Sequence, residues 1–202
     1  MNLSGKRIEL PGPAHDGKLP VEAAFLGRRS IRNYKEAPLD LKEISQLLWA
    51  AQGIIRPGGY RTCPSAGALY PLEIQLVAGR VDGLLCGSYS YDCANHAVLY
   101  KDEKDIRHDL AVAALGQSMI SSAPATIAIC AIFERTTRKY GERGIRYIFM
   151  EAGHAAQNIH LQAVSLNLGT VVVGAFRDDE VKNALGLRSG ESPLLLMPVG
   201  RI

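Results

Sequence analysis

The chain has 202 residues, 47% of them hydrophobic and 21% charged, with a net charge of +3. This is the composition of a globular chain of one-domain size that can bury a sizeable core, and its charge is too weak to argue for a nucleic-acid binder. No apolar run approaches the ~18 residues of a membrane span, no signal-peptide core opens the chain, and Cys63, Cys86, Cys93 and Cys130 make no Cys-x-x-Cys pair, so the expectation is free thiols in a cytoplasmic protein without zinc.

Residues 1–20 are rich in Gly and Pro and periodic in nothing, which predicts an extended arm ahead of one domain at 21–202. A short helix over Val21–Leu26 ends at Gly27. Residues 42–52 form an amphipathic helix whose apolar face is Leu41, Ile44, Leu47, Leu48 and Ala51, with Asp40 as N-cap and Gly53 as stop. Gly58 to Gly67 is a loop, and Glu73–Ala78 alternates as a strand. Gly87–Tyr91 and Ala97–Tyr100 read as a hairpin around Asp92-Cys93-Ala94-Asn95. Asp105–Leu115 and residues 117–121 are helical. Ala125–Phe133, apolar throughout, is a central strand buried on both faces. Residues 135–146 read as a charged connection.

The chain is organised around the next segment, a long helix from Tyr147 that stops at Gly169 and feeds a β-branched strand at Val171–Val173. Ile148, Ala152, Ala155, Ile159, Ala163 and Leu166 form its apolar stripe, while Glu151, His154, Asn158, Gln162 and Ser165 recur on a polar face. The small residues Ala152, Gly153, Ala155 and Ala156 invite close approach by another helix. A short helix at 178–185 and a strand at 194–199 finish the chain. Mixed helices and strands with antiparallel pairs place it in the α+β class.

Candidate chemistry is spread over several motifs. Arg28, Arg29, Ser30 and Arg32 put three guanidiniums and a hydroxyl into five positions, donors suited to a phosphate. In an extended segment Arg28, Ser30 and Arg32 share one side. Pro64, Ser65, Ala66 and Gly67 offer small side chains and accessible amides against which a flat ring can lie. Gly174 and Ala175 close a strand where a backbone N–H can turn to a ligand. The bland readings are a solvated basic turn, an ordinary turn and a bulge. Glu151-x-x-His154 has no second copy, so a di-iron centre is not expected and a structural role is. Gly-x-Ser-x-Gly, Walker, Gly-x-Gly-x-x-Gly and His-Glu-x-x-His motifs are all missing from the sequence.

In order, RRSIRNY, PSAGALYPLE and EAGHAAQNIHLQAVSLNLGTVVVGAF resemble the nitroreductase family of FMN-dependent oxidoreductases, and KYGERGIRYIFMEAGHAAQN is most similar to its SagB or thiazole-oxidase-like branch of azoline dehydrogenases. The resemblance implies a nitroreductase-like α+β fold with a mostly antiparallel central sheet, and an obligate homodimer with two interfacial FMN sites. By the same resemblance Arg28 and Ser30 hold the FMN phosphate, Arg29 contacts the ribityl chain and Arg32 lies beside flavin N1 and O2. Pro64, Ser65, Ala66 and Gly67 come from the other subunit, Gly174 and Ala175 are the donors near N5, and Arg201 is the only late candidate for a second phosphate cation. The implied activity is a ping-pong transfer of hydride from NADH or NADPH to a small acceptor such as a nitroaromatic or quinone, with no protein nucleophile needed. The alternatives are an azoline dehydrogenase, in which Lys139-Tyr140 resembles the proton-abstracting pair, and a flavin-binding sensor or storage protein with little turnover.

Overall fold

The computed structural model describes residues 5–202, so residues 1–4 of the predicted arm lie outside the described residues. The strands are β1 (Arg7–Glu9), β2 (Ile54–Arg56), β3 (Tyr60–Arg61), β4 (Leu72–Ala78), β5 (Gly87–Asp92), β6 (Ala97–Asp102), β7 (Ala125–Ile132), β8 (Leu168–Thr170) and β9 (Glu191–Arg201). The α-helices are α1 (Val21–Gly27), α2 (Leu41–Gln52), α3 (Arg107–Ala113), α4 (Ser118–Ser122), α5 (Glu134–Tyr140), α6 (Arg143–Ser165) and α7 (Asp178–Ala184). Seven strands form one antiparallel sheet in the order β1-β6-β5-β4-β7-β9-β8, and β2 and β3 make a separate ribbon. This is the α+β architecture with a large antiparallel sheet that the sequence led us to expect.

Two cores sandwich the sheet. On one face Ile74, Leu76, Ile127, Ile129 and Met197 pack against Leu47 and Leu48 of α2 and Ile148, Ala155 and Ile159 of α6. On the other, Val77, Ala128, Cys130 and Leu196 pack against Leu110 of α3, Ile120 of α4 and Val181 of α7. β7 lies inside the sheet and supplies both cores, which is why its sequence is apolar without alternation. Helix α2 starts with a full capping box: the Glu43 amide donates to Asp40 and the Asp40 amide donates to the Glu43 carboxylate.

Four expectations shift. The arm is not loose: β1 pairs with β6, and the arm then crosses its own α2, where Gln46 exchanges hydrogen bonds with the Ala14 backbone and Ser45 donates to the Pro11 carbonyl. The charged connection contains helix α5, supported by a Glu134–Arg138 ion pair one turn apart and closed by Gly141 at φ +56°. Helix α6 starts earlier and stops earlier than expected. Its stop is Asn167 in the left-handed region (φ +55°), a conformation asparagine tolerates better than most residues. The following strand is Leu168–Thr170, and of Val171–Val173 only Val173 bridges to Leu196. Gly169 instead allows close packing, since a Cβ there would sit 2.6 Å from Ile202 and 2.7 Å from Ile31. Finally, the polar face of α6 is partly enclosed, with Glu151 buried at 3% exposure. All four cysteines are free thiols. No helix among the described residues is long and apolar enough to cross a membrane.

Candidate functional site

After α1, whose last turn is closed by the Arg28 amide donating to Ala24, the chain runs out extended along the sheet edge. Ser30 forms a parallel bridge with Thr170, and the Ile31 amide donates to the Thr170 carbonyl at 2.9 Å. Extended backbone sends alternate side chains to opposite sides. Arg28 and Ser30 therefore line a cleft of about 440 Å³ with Phe149, Gly153, His160, Val172 and Leu195. Arg29 and Ile31 line a neighbouring cavity of about 360 Å³. Both volumes fall at the lower end of small-ligand sites. The floor of the cleft is the small-residue waist of α6, where Gly153 faces open space. Ala152, Ala155 and Ala156 are packed within the chain itself.

The predicted residues separate into those gathered here and those placed elsewhere. Val173 is tied to Leu196 by two backbone hydrogen bonds, which fixes the segment beside the cleft. Among the described residues no backbone carbonyl accepts from the amides of Gly174 or Ala175, and both residues are exposed. A Cβ on Gly174 would sit 3.8 Å from Leu195 of the cleft wall. Arg32 is exposed and outside the cleft lining. Arg201 is not brought to the cleft: its guanidinium pairs side-on with Glu43 at 2.9 and 3.0 Å, and its Nε donates to the Pro38 carbonyl. The one functional-looking residue that sequence reasoning missed is His160. It is buried on the stripe of α6 and lines both cavities. Burial, and then the charge of Arg28, lower its pKa from the usual imidazole value. A histidine one position after the stripe residue Ile159 was the available signal.

The loop Pro64–Gly67 lies in a different corner and none of its residues lines the arginine cleft. Gly67 has φ +63°, and a Cβ on it would come within 2.7 Å of the Tyr140 hydroxyl and 3.1 Å of the Lys139 Nζ. The structure thus seats Lys139-Tyr140 directly against this loop. Tyr140 meets Tyr147 edge-on at 5.2 Å, and the Lys139 Nζ lies 5.5 Å from the Tyr140 ring centroid. The Ser65 hydroxyl accepts from the Tyr70 amide at 2.9 Å, and Ser65 lies close enough to the Glu151 carboxyl to favour its charged form. Burial pushes the Glu151 carboxyl up to about 7, against the opposing pull of Ser65 and Arg61. Its Oε1 has no partner. Cys63, beside it, donates to the Glu151 carbonyl, and burial holds its thiol at about 12. Helix α6 exposes Ile145, Phe149 and Met150, and α1 exposes Phe25 and Leu26.

The model of the family described as "Nitroreductase family" matches residues 26–201. The chain belongs to the nitroreductase family. This nitroreductase-family chain is 48% identical over 184 residues to a Methanocaldococcus jannaschii protein named as a nitroreductase, a match covering 91% of this chain and 92% of that one. A nitroreductase-named structure from Ralstonia eutropha superposes with a TM-score of 0.85 at 29% identity, covering 100% of this chain and 91% of that one. A third relative is the microcin B17-processing protein McbC of Escherichia coli, 28% identical over 81% of this chain and 63% of its own length. A McbBCD microcin synthetase complex contains a chain that superposes with a TM-score of 0.74 at 25% identity, over 95% of this chain and 76% of that one. This relative belongs to the SagB-like branch to which the sequence motifs pointed. The chain is thus an oxidoreductase of the nitroreductase fold.

Proposed function

We propose that residues 21–202 form one FMN-binding domain, that two copies of the chain close around two FMN molecules, and that the pair moves hydride from NADH or NADPH to a small organic acceptor such as a nitroaromatic or quinone. The observation that carries this reading is the cleft of Arg28 and Ser30. It puts a half-buried guanidinium and a hydroxyl beside two free amides, over a glycine-and-alanine floor, with no acidic side chain in its lining. Those donors fit a phosphate monoester attached to a flat ring. Bound FMN supplies a two-electron hydride acceptor, and so no protein nucleophile is required.

The protein's own residues then have distinct tasks. Arg28 and Ser30 hold the phosphate, Arg29 borders the adjoining cavity, and the Gly174 and Ala175 amides donate toward the ring. Arg32 contributes positive charge from outside the cleft. With Arg201 held by Glu43, the phosphate rests on Arg28. The loop Pro64–Gly67 cannot serve the cleft of its own chain, which supports the two-subunit arrangement. Burial of Ile145, Phe149 and Met150 against a second copy would remove an apolar stripe from water.

Anaerobic stopped-flow mixing of the flavin-loaded chain tests the reading. Bleaching by NADH or NADPH, followed by reoxidation with a nitroaromatic, is the expected result; a chain that takes up no FMN, or sediments as a single subunit, would overturn it. The second reading, azoline dehydrogenation on a modified peptide, is favoured by one contact: Lys139 and Tyr140 meet at Gly67 of the loop. It predicts that Lys139→Ala abolishes peptide oxidation and spares nitroaromatic reduction.

A further inference from the structure

We propose that His160 is a proton-accepting member of the phosphate site: the Arg28–Ser30 cleft takes a phosphate monoester together with a proton, which His160 holds. The proposal rests on the flavin reading for its natural ligand but on the cleft alone for its chemistry.

The geometry is unusual for a buried histidine. His160 is 6% exposed and forms a shared wall of the two cavities that flank the extended segment Arg28–Ile31. Its ring nitrogens are not among the fully enclosed polar atoms left without a partner; the residue lies instead in the lining of both cavities. The charged groups around it are nearly all positive. The segment after α1 brings Arg28 and Arg29. From β8, β9 and Val172 the lining is Leu168, Thr170, Leu194 and Leu195, all uncharged. Helix α6 adds only small or neutral residues to these walls. The chain's last residue, Ile202, also borders the second cavity, and its carbonyl oxygen accepts from the Lys35 Nζ at 2.6 Å. No carboxylate side chain lines either cavity. The other late cation, Arg201, is spent on Glu43.

A neutral imidazole is what such surroundings enforce while the cleft holds no anion. Burial and Arg28 both act against its charged form. A phosphate dianion beside Arg28 reverses the sign of the local potential, so the same imidazole gains its proton as the ligand arrives. Binding then consumes up to about one proton per site, and affinity falls by up to about tenfold per pH unit between the free and the ligand-bound pKa of His160.

The test uses the full chain stripped of flavin. Calorimetric titration at neutral pH in two buffers of different ionisation enthalpy counts protons on binding FMN, riboflavin and inorganic phosphate. After correction for the protons that FMN or inorganic phosphate itself releases on binding as the dianion, proton uptake with both, none with riboflavin, and loss of the uptake in His160→Gln is the expected pattern. NMR titration of His160 in the unsubstituted chain is a second measurement independent of the variant's folding: its midpoint should rise by about one pH unit or more when phosphate saturates the cleft. FMN binding without proton uptake, or an unmoved midpoint, overturns the proposal and leaves the flavin reading standing. Phosphate binding with His160-dependent uptake in a chain that refuses FMN supports the proposal and overturns the flavin reading. If neither FMN nor phosphate binds, both fall.

Discussion

The two corners on either side of α6 are built on opposite principles. The arginine cleft is open, positively charged and floored with residues whose side chains hardly fill it. The Pro64–Gly67 corner is crowded: the ends of Tyr140 and Lys139 lie over Gly67, Tyr147 packs edge-on against Tyr140, and a buried carboxyl belongs to the same corner. Substitutions in the first should change what binds and leave folding nearly untouched. Substitutions in the second should change folding and local geometry first. One helix serves both because its period presents small residues to the cleft and Glu151 to the loop.

The largest effect is expected from Arg28→Ala. A charge-assisted hydrogen bond to phosphate contributes about 1.5–3 kcal/mol, so FMN affinity should fall about 10- to 100-fold with little change in the thermal midpoint. Fluorescence titration with FMN reads the first quantity and calorimetry the second. Retained affinity would show that the cleft is not the phosphate site.

Glu151→Gln sharpens the other side of the comparison. The folded-state pKa of Glu151 is raised from 4.5 to about 7. Below pH 4.5 both folded and unfolded chains hold the proton and burial of the carboxyl costs nothing extra. Between 4.5 and 7 the unfolded chain releases a proton that the folded chain keeps, so stability falls as pH rises. Above 7 the loss is complete. At ~1.36 kcal/mol per unit the full shift corresponds to about 3 kcal/mol, and screening by water near the loop reduces this to about 2. Urea melts should therefore show Glu151→Gln matching the unsubstituted chain at pH 4 and exceeding it at pH 8.5. A pH-independent difference would mean that Glu151 is not the group that titrates.

Legibility in the sequence followed the same division. Helix α2 was readable because Asp40, Glu43 and the apolar stripe are all local signals, and β7 because a strand buried on both faces must be apolar on both. Arg28 and Ser30 were readable as a pair since alternation alone puts them on one side. What depended on distant partners was not. β1 exists only through β6, α5 is too polar to show a helical stripe, and the polar-face position of Glu151 gave no sign of its burial near Ser65 and Arg61. Arg201 stood at the expected place in the chain, yet its charge is turned to Glu43 by the capping of α2, a pairing 158 residues apart in sequence.

Gly67→Ala should cost less than the loss of either charge. An alanine held at φ +63° is strained by about 1 kcal/mol, and its Cβ would have to displace the ends of Tyr140 and Lys139, which are free to move. A small drop in the thermal midpoint with a changed near-ultraviolet tyrosine signal is the expected outcome. If the near-ultraviolet spectrum is unaltered, the Lys139-Tyr140 contact is not formed in solution.

The smallest effect is predicted for Arg32→Ala, and it marks the edge of the cleft. Arg32 is exposed and lies outside the cleft lining, so removing it should change stability by less than about 0.5 kcal/mol. FMN affinity should change by no more than about threefold, because an exposed charge acts on the ligand only through screened Coulomb forces. The flavin reduction potential is the more sensitive measure: a cation near N1 favours the reduced, anionic ring, so its loss should lower the potential. A potential that stays fixed while affinity collapses would place Arg32 with Arg28 on the phosphate, and the cleft would then extend one alternate residue further along the strand edge than its present walls.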